Sequence, residues 1–346
     1  MKYYIHIISF LVLVLGCKKP FSKDSEAALA TPTTTESSSK SVVFIAGYDE
    51  DDNAYYTKAK AFFKEKEMVL VDTLFSIDEI IRWLNQNSND TIRYKEIHIV
   101  SHSNPWLGMS LKTIKNGERI TTTTLQKAKI NQEIQALENG ISNETKIIFH
   151  SCGLGENQEL LKELKETFST KTKPYVYASS YFNVFGGKNA PHYLAKSYYN
   201  FYPTAESPGP NALSKEYQEK YPNKAIDWKE AMRTREEAKA GEVYSYKFNI
   251  PVDWEFTFDN TADIPELKDK EAIMDWVSQS SEMTETLYNL NIPLEKYRWK
   301  SKIRENKLII KGKTTVFCIL EPILENEDTN EYYNLSLEDP FLYQIL

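Results

Sequence analysis

Short apolar runs alternate along this chain with stretches whose apolar residues fall at helical spacing, and the alternation predicts strands and helices in turn. Residues 41–47 (SVVFIAG) form an apolar run closed by Gly47, and residues 53–66 follow with Ala59, Phe62 and Phe63 at helical spacing. Residues 68–73 (MVLVDT) read as a strand, and residues 77–84 as an amphipathic helix carrying Ile80, Ile81 and Leu84. A strand at 96–101 precedes an Asn116-Gly117 hairpin signal within residues 114–120. A polar helix at 126–137, a strand at 146–149, a helix at 156–168 and a strand at 175–178 continue the series.

Strands separated by helices imply right-handed crossovers and a mainly parallel sheet with helices on both faces, an α/β fold. In open sheets of this kind, ligands and chemistry gather outside the carboxyl ends of the strands. Beyond residue 178 the pattern changes. Residues 193–202 are aromatic-rich and end in the breaker segment 203–210, residues 213–240 are highly charged and read as helical, and residues 242–258 alternate like a strand. Residues 264–289 read as helical, and residues 302–320 as two strands with Gly312 in the turn between them. The α/β domain therefore covers residues 41–240, followed by a smaller α+β C-terminal module over 241–346.

The amino terminus carries Lys2 and then an apolar run over residues 3–15, too short to span a bilayer, which reads as an export signal. Val14-Leu15-Gly16-Cys17 resembles the lipobox of bacterial lipoproteins. That resemblance implies a signal peptide over 1–16, cleavage before Cys17, and palmitate and related lipid on Cys17. It also implies a membrane anchor in the bacterial cell envelope, periplasmic or surface-exposed. An ordinary signal peptide that contains a Cys is the alternative. Residues 17–40 are Ser, Thr, Ala and charged residues without apolar period and read as a flexible tether.

Lys2 is the one charged side chain in residues 1–16, so its removal moves the formal charge from −7 to −8. An acidic chain lacks the basic face that nucleic-acid binding needs. With Cys17 lipidated, Cys152 and Cys318 are the remaining thiols. A disulfide between them is one possibility in an exported compartment. A buried inert thiol at Cys318, inside the run Val316-Phe317-Cys318-Ile319-Leu320, is the other.

Two of the strand-like runs end abruptly on reactive side chains. Residues 96–103 (EIHIVSHS) deliver His102, and residues 146–155 (KIIFHSCGLG) deliver Cys152, fifty positions later. A thiol is a poor nucleophile while protonated, and a nearby imidazole can take its proton, so the pair is the minimum equipment for covalent acyl transfer. Gly153-Leu154-Gly155 and a helix starting near Glu156 would aim backbone amides at the site and favour a thiolate and a developing oxyanion. A small apolar filler at Cys152 and a hydrogen-bonded surface histidine at His102 are the bland readings.

A zinc site is a further possibility. His98 and His102 are about 13 Å apart along an extended strand, too far to share one metal. His102, His150 and Cys152 are a conceivable smaller set, whereas His150 on the floor of the site or against a crossover helix is the simpler reading. No Gly-x-Ser-x-Gly elbow supports an α/β-hydrolase, and Ala46-Gly47-Tyr48-Asp49 lacks the Gly-rich continuation of a dinucleotide site.

Ile99-Val100-Ser101-His102 and Ile147-Ile148-Phe149-His150-Ser151-Cys152, with a hairpin excursion between two strands, resemble the caspase-like cysteine peptidases. That clan includes legumains, gingipains, clostripain and separase. The resemblance covers roughly residues 41–200. It implies His102 as general base or acid, Cys152 as nucleophile, and the backbone amides of Ser103 and Cys152 as oxyanion donors. It implies a substrate-pocket wall from residues 178–183, with Ser179, Ser180 and Tyr181 in it. The family has Gly after its catalytic His, where this chain has Ser103, and the Gln-Ala-Cys-Arg-Gly type sequence is absent, so aspartate specificity is not implied.

The leading expectation is a lipid-anchored thiol peptidase acting on a protein or peptide substrate, with no metal and no cofactor. The alternative is an inactive caspase-like scaffold that serves as a binding lipoprotein. Ser103, the C-terminal module and a content of 22 Tyr and 16 Phe motivate that alternative. Ordinary core packing also accounts for aromatics.

Overall fold

The run over residues 42–45 is apolar at every position because its strand is buried there on both faces. In β1 (Lys40–Ile45), Val42 and Phe44 pack into one core, and Val43 and Ile45 into another on the opposite side of the sheet. The computed structural model describes residues 40–49, 53–89, 92–326 and 330–346. The expected signal peptide, Cys17 and nearly all of the tether lie outside the described residues.

After β1 come α1 (Ala54–Glu65), β2 (Val69–Val71), α2 (Ile77–Gln86) and β3 (Tyr94–Val100). A small antiparallel sheet follows, made of β4 (Ser103–Asn104), β5 (Gly108–Lys112) and β6 (Arg119–Ile120), with the predicted Asn-Gly hairpin between β5 and β6. The alternation resumes with α3 (Thr122–Ile130), β7 (Lys146–His150), α4 (Gln158–Phe168) and β8 (Tyr175–Ser179). Then come β9 (Phe182–Phe185), β10 (His192–Pro203), α5 (Pro210–Lys220), α6 (Trp228–Ala231) and β11 (Tyr244–Thr257). The chain ends with α7 (Lys270–Gln279), α8 (Ser281–Leu290), β12 (Arg298–Arg304), β13 (Lys307–Pro322), β14 (Leu324–Asn326), β15 (Glu331–Tyr332) and β16 (Tyr343–Ile345).

The first sheet has the order β16-β8-β7-β3-β1-β2, parallel throughout except for β16, which runs antiparallel beside β8. Apolar side chains of α2, α3 and α4 fill the core on one face. Tyr56, Ala59 and Phe63 of α1 cover the other, together with Phe185 of β9. The fold is thus mixed α/β around a mostly parallel sheet with helices on both faces. Ser76 caps α2 and Asn53 caps α1, each accepting a hydrogen bond from a first-turn amide.

The second sheet is antiparallel, in the order β11-β13-β10-β9, with β12 also paired to β13. It joins strands from both sides of residue 240, and β16 returns the chain's end to the first sheet. The boundary expected at residue 240 therefore falls between strands of one sheet, and residues 37–346 form one compact unit. Gly312 sits mid-strand in β13 rather than in a turn. A Cβ there would stand 2.6 Å from the Trp299 ring and 2.8 Å from Val252, so Gly312 admits the indole. The turn is at Glu305-Asn306, with Glu305 at φ 56°.

Three helices differ from the pattern reading. The helix expected at 126–137 starts earlier, where Thr121 and Thr124 form a reciprocal capping box, and it ends at Ile130, with Gln132 in a left-handed turn. The charged stretch 213–240 is helical only over α5 and α6. Ser280 divides 264–289 into α7 and α8 by capping the second.

Candidate active site

The fifty-residue interval between His102 and Cys152 is the register of two neighbouring strands. Parallel β3 and β7 pair Glu96 with Lys146 through Val100 with His150, and His102 and Cys152 each lie two residues beyond the last pair. Neighbouring strands run about 4.8 Å apart, so the two residues leave adjacent carboxyl ends side by side. Three serines tie those ends together. Ser101 N–H donates to His150 O at 3.4 Å, Ser151 Oγ to Ser101 O at 2.9 Å, and Ser103 Oγ to Cys152 O at 2.6 Å.

Half-buried His102 is held by aromatic contact with the first turn of α1. Its ring stacks on Tyr55 with centroids 4.4 Å apart, and it meets Tyr56 edge-on at 4.9 Å. Tyr55 Oη donates to His150 O at 2.8 Å. Tyr56 Oη accepts from His102 N–H at 3.1 Å and donates to Asp49 Oδ1 at 2.8 Å, while Ser110 Oγ donates to Asp49 Oδ2. Gly47 makes room for this: a Cβ there would stand 2.3 Å from Tyr56 Oη. Burial holds the His102 imidazole below the ordinary histidine value, with Asp49 opposing the shift and Arg119 reinforcing it. The ring is therefore neutral near pH 7, the state in which it accepts a proton.

Cys152 is 8% exposed, and Sγ lies 3.8 Å from Asn183 O. Burial pushes its thiol up to about 12. This corrects the expectation of a helix start that favours a thiolate. A left-handed turn at Gly153 and a short 3-10 turn intervene, and α4 begins only at Gln158, with Asn157 capping it. Desolvation decides the thiol's state. The Cys152 backbone N–H makes no hydrogen bond among the described residues.

His102, Ser103 and Cys152 line one cavity of about 530 Å³. Of the expected oxyanion and wall residues, Ser103, Cys152 and, from the wall segment 178–183, Phe182 and Asn183 belong to it. Ser179, Ser180 and Tyr181 stand outside its lining, because the chain turns into β9 and presents Phe182, Asn183, Val184 and Phe185 instead. Ser179 is fully buried and accepts from Tyr181 N–H, while Tyr181 O holds the Gly153 amide at 3.1 Å. Those residues shape the turn after Cys152.

His98, His150 and His192 gather on the α1 side of the sheet. His98 Nδ1 lies 2.9 Å from His150 Nε2, and the His150 ring packs against Phe63 of α1, Phe185 and His192. His150 thus takes the crossover-helix position. Among the described residues, no group of three or more His, Cys, Asp or Glu side chains is arranged to hold a metal ion. Cys152 and Cys318 are both free, and burial also pushes the Cys318 thiol up.

Sequence reasoning missed Asp49, Tyr55 and Tyr56, and it missed the aromatic wall of Tyr244, Tyr246 and Phe248. The wall had a signal: alternate positions in Tyr244-Ser245-Tyr246-Lys247-Phe248 share a strand face. No helix among the described residues is long and apolar enough to cross a membrane. Comparison with protein-family models, with curated proteins and with solved structures finds no match to this chain.

Proposed function

We propose that this protein is an exported, lipid-anchored cysteine peptidase of caspase-like type, with Cys152 as nucleophile and His102 as its base. The observation that carries the reading is the shared register, which sets His102 and Cys152 on adjacent strand ends in one cavity. The strand order, five parallel strands edged by an antiparallel one, agrees with it.

In this reading the resting pair is neutral. With burial pushing the thiol up to about 12 and holding the imidazole below its ordinary value, transfer of the proton before substrate arrives is unfavourable. Proton transfer therefore accompanies attack. Sγ adds to the substrate carbonyl carbon as its proton passes to His102, and the Cys152 amide receives the oxyanion. Collapse breaks the C–N bond, the amine leaves with the proton from His102, and a thioester remains. Water then attacks the thioester, its proton goes to His102 and on to sulfur, and the acid departs.

The lipid anchor rests on Val14-Leu15-Gly16-Cys17, and labelled palmitate incorporation that Cys17→Ser abolishes is its check. The peptidase reading is tested by profiling the purified protein against a peptide library beside Cys152→Ala and His102→Ala. Cleavage that both variants lose supports it, and cleavage that survives Cys152→Ala overturns it. A second reading, a binding lipoprotein that keeps this fold as scaffold, is favoured by the buried, protonated state of Cys152. It predicts peptide capture without turnover.

A further inference from the structure

The cavity around His102 and Cys152 contains both charged and aromatic side chains, and they differ in what they already hold. Both carboxylate oxygens of Asp49 accept hydroxyl hydrogens, from Tyr56 and Ser110. Arg119 donates through Nε to Met109 O and through an Nη to Ser110 Oγ, with the Tyr48 ring 5.7 Å from its Cζ. Two of the five guanidinium N–H groups are used in this way, and the cavity's charged side chains, Asp49 against Arg119 and Lys58, are of mixed sign.

The aromatic wall is different. Tyr244, Tyr246 and Phe248 stand at alternate positions of β11 and line the cavity together. Tyr244 is anchored by a 3.1 Å hydroxyl contact with Tyr193, and Phe248 is backed by Trp106 at 5.7 Å. Tyr246 lies 5.9 Å from Phe248 and is 47% exposed. A large aromatic left half open beside a reactive pair, on a backed wall, is apolar surface waiting for a partner. Cys152 shares its apolar cluster with Phe182, Tyr244 and Leu320, so the surroundings nearest the sulfur are apolar as well.

We propose that this wall reads a large apolar side chain, aromatic or branched aliphatic, on the residue whose carbonyl Cys152 attacks. The substrates are then extended peptides with Phe- or Leu-like residues at that position, not acidic or basic ones. The chemistry in this statement rests on the peptidase reading; the recognition does not.

The test has two arms. Wild-type protein is assayed on fluorogenic tripeptide amides that differ only in the residue before the reporter amine: Phe, Leu, Ala, Asp or Arg. Cys152→Ala protein is titrated with dye-labelled peptides of the same series by fluorescence anisotropy. The expected result is at least a tenfold preference for Phe and Leu over Asp and Arg in both arms. Tyr246→Ala combined with Phe248→Ala then lowers the Phe-to-Ala ratio about tenfold. Tyr246→Ser, at a half-open position, repeats the comparison if the double variant does not fold. Cleavage that favours Asp or Arg overturns this inference and leaves the peptidase reading standing. Preferential binding of Phe and Leu peptides without any cleavage sustains the inference and removes the peptidase reading. Absence of preference in both arms overturns the inference.

Discussion

Ser103 Oγ donates to the carbonyl of Cys152 at 2.6 Å, so the residue after one reactive side chain holds the backbone of the other. That hydroxyl fixes the two strand ends to each other. Ser103→Ala leaves that buried carbonyl without its partner and is expected to cost about 1–3 kcal/mol of stability, read by urea unfolding. Ser103→Gly loses the same bond and falls at least as far. An unchanged urea midpoint in Ser103→Ala would show that the bond holds nothing.

The Cys152 thiol is predicted to be sluggish until substrate binds. With burial pushing it up to about 12, alkylation by iodoacetamide in the folded protein is slow at pH 7 and still rising at pH 10. Mass spectrometry of the modified peptide gives the rate at each pH. A plateau reached below pH 8 contradicts the neutral resting pair.

Gly47 and Tyr56 are predicted to be energetically coupled. Gly47→Ala drives a methyl against Tyr56 Oη and should cost about 1–3 kcal/mol. In a Tyr56→Phe background the obstructing oxygen is gone, so the same substitution should cost at least ~1 kcal/mol less. A double-mutant cycle by chemical denaturation measures the difference, and strict additivity would refute the close approach.

Acid stability should reflect the histidines under the sheet. Burial holds His192 down to about 3 and His150 well below its ordinary value, so the unfolded chain binds protons that the folded chain refuses. Both contributions are fully present above about pH 6.5. They are lost as pH falls toward 3, with a slope of up to about 2.7 kcal/mol per pH unit for two protons. Urea unfolding at pH 7, 6, 5 and 4 reads this, and His192→Gln should halve the slope. A flat profile between pH 6.5 and 5 contradicts the burial of neutral rings.

The first sheet was legible in the sequence because its strands are buried on both faces. Such strands show as unbroken apolar runs, and two of them stop at His102 and Cys152. The interval of fifty residues carried more than spacing, since it equals the β3–β7 register. The second sheet was hidden because β13 pairs with β10 across more than a hundred residues and with β11 across fifty or more, and local pattern does not report a distant partner. For the same reason a module boundary was drawn through it. Around the site, the helical spacing of α1 was visible but its role was not, because Tyr55 and Tyr56 have the look of ordinary first-turn aromatics until His102 is placed against them. The thiol's state was misjudged because sequence showed the glycines and the helix, while burial, the larger effect, belongs to the tertiary structure.

The central claim is that His102 and Cys152 act as one chemical unit. The most direct measurement is covalent labelling by a peptidyl acyloxymethyl ketone with Phe at its terminal position, followed by intact-protein and peptide mass spectrometry. Wild-type protein should gain one adduct at Cys152, Cys152→Ala none, and His102→Ala should label at least ~100-fold more slowly, the scale of general-base assistance. An adduct on another residue, or equal labelling rates with and without His102, would contradict it.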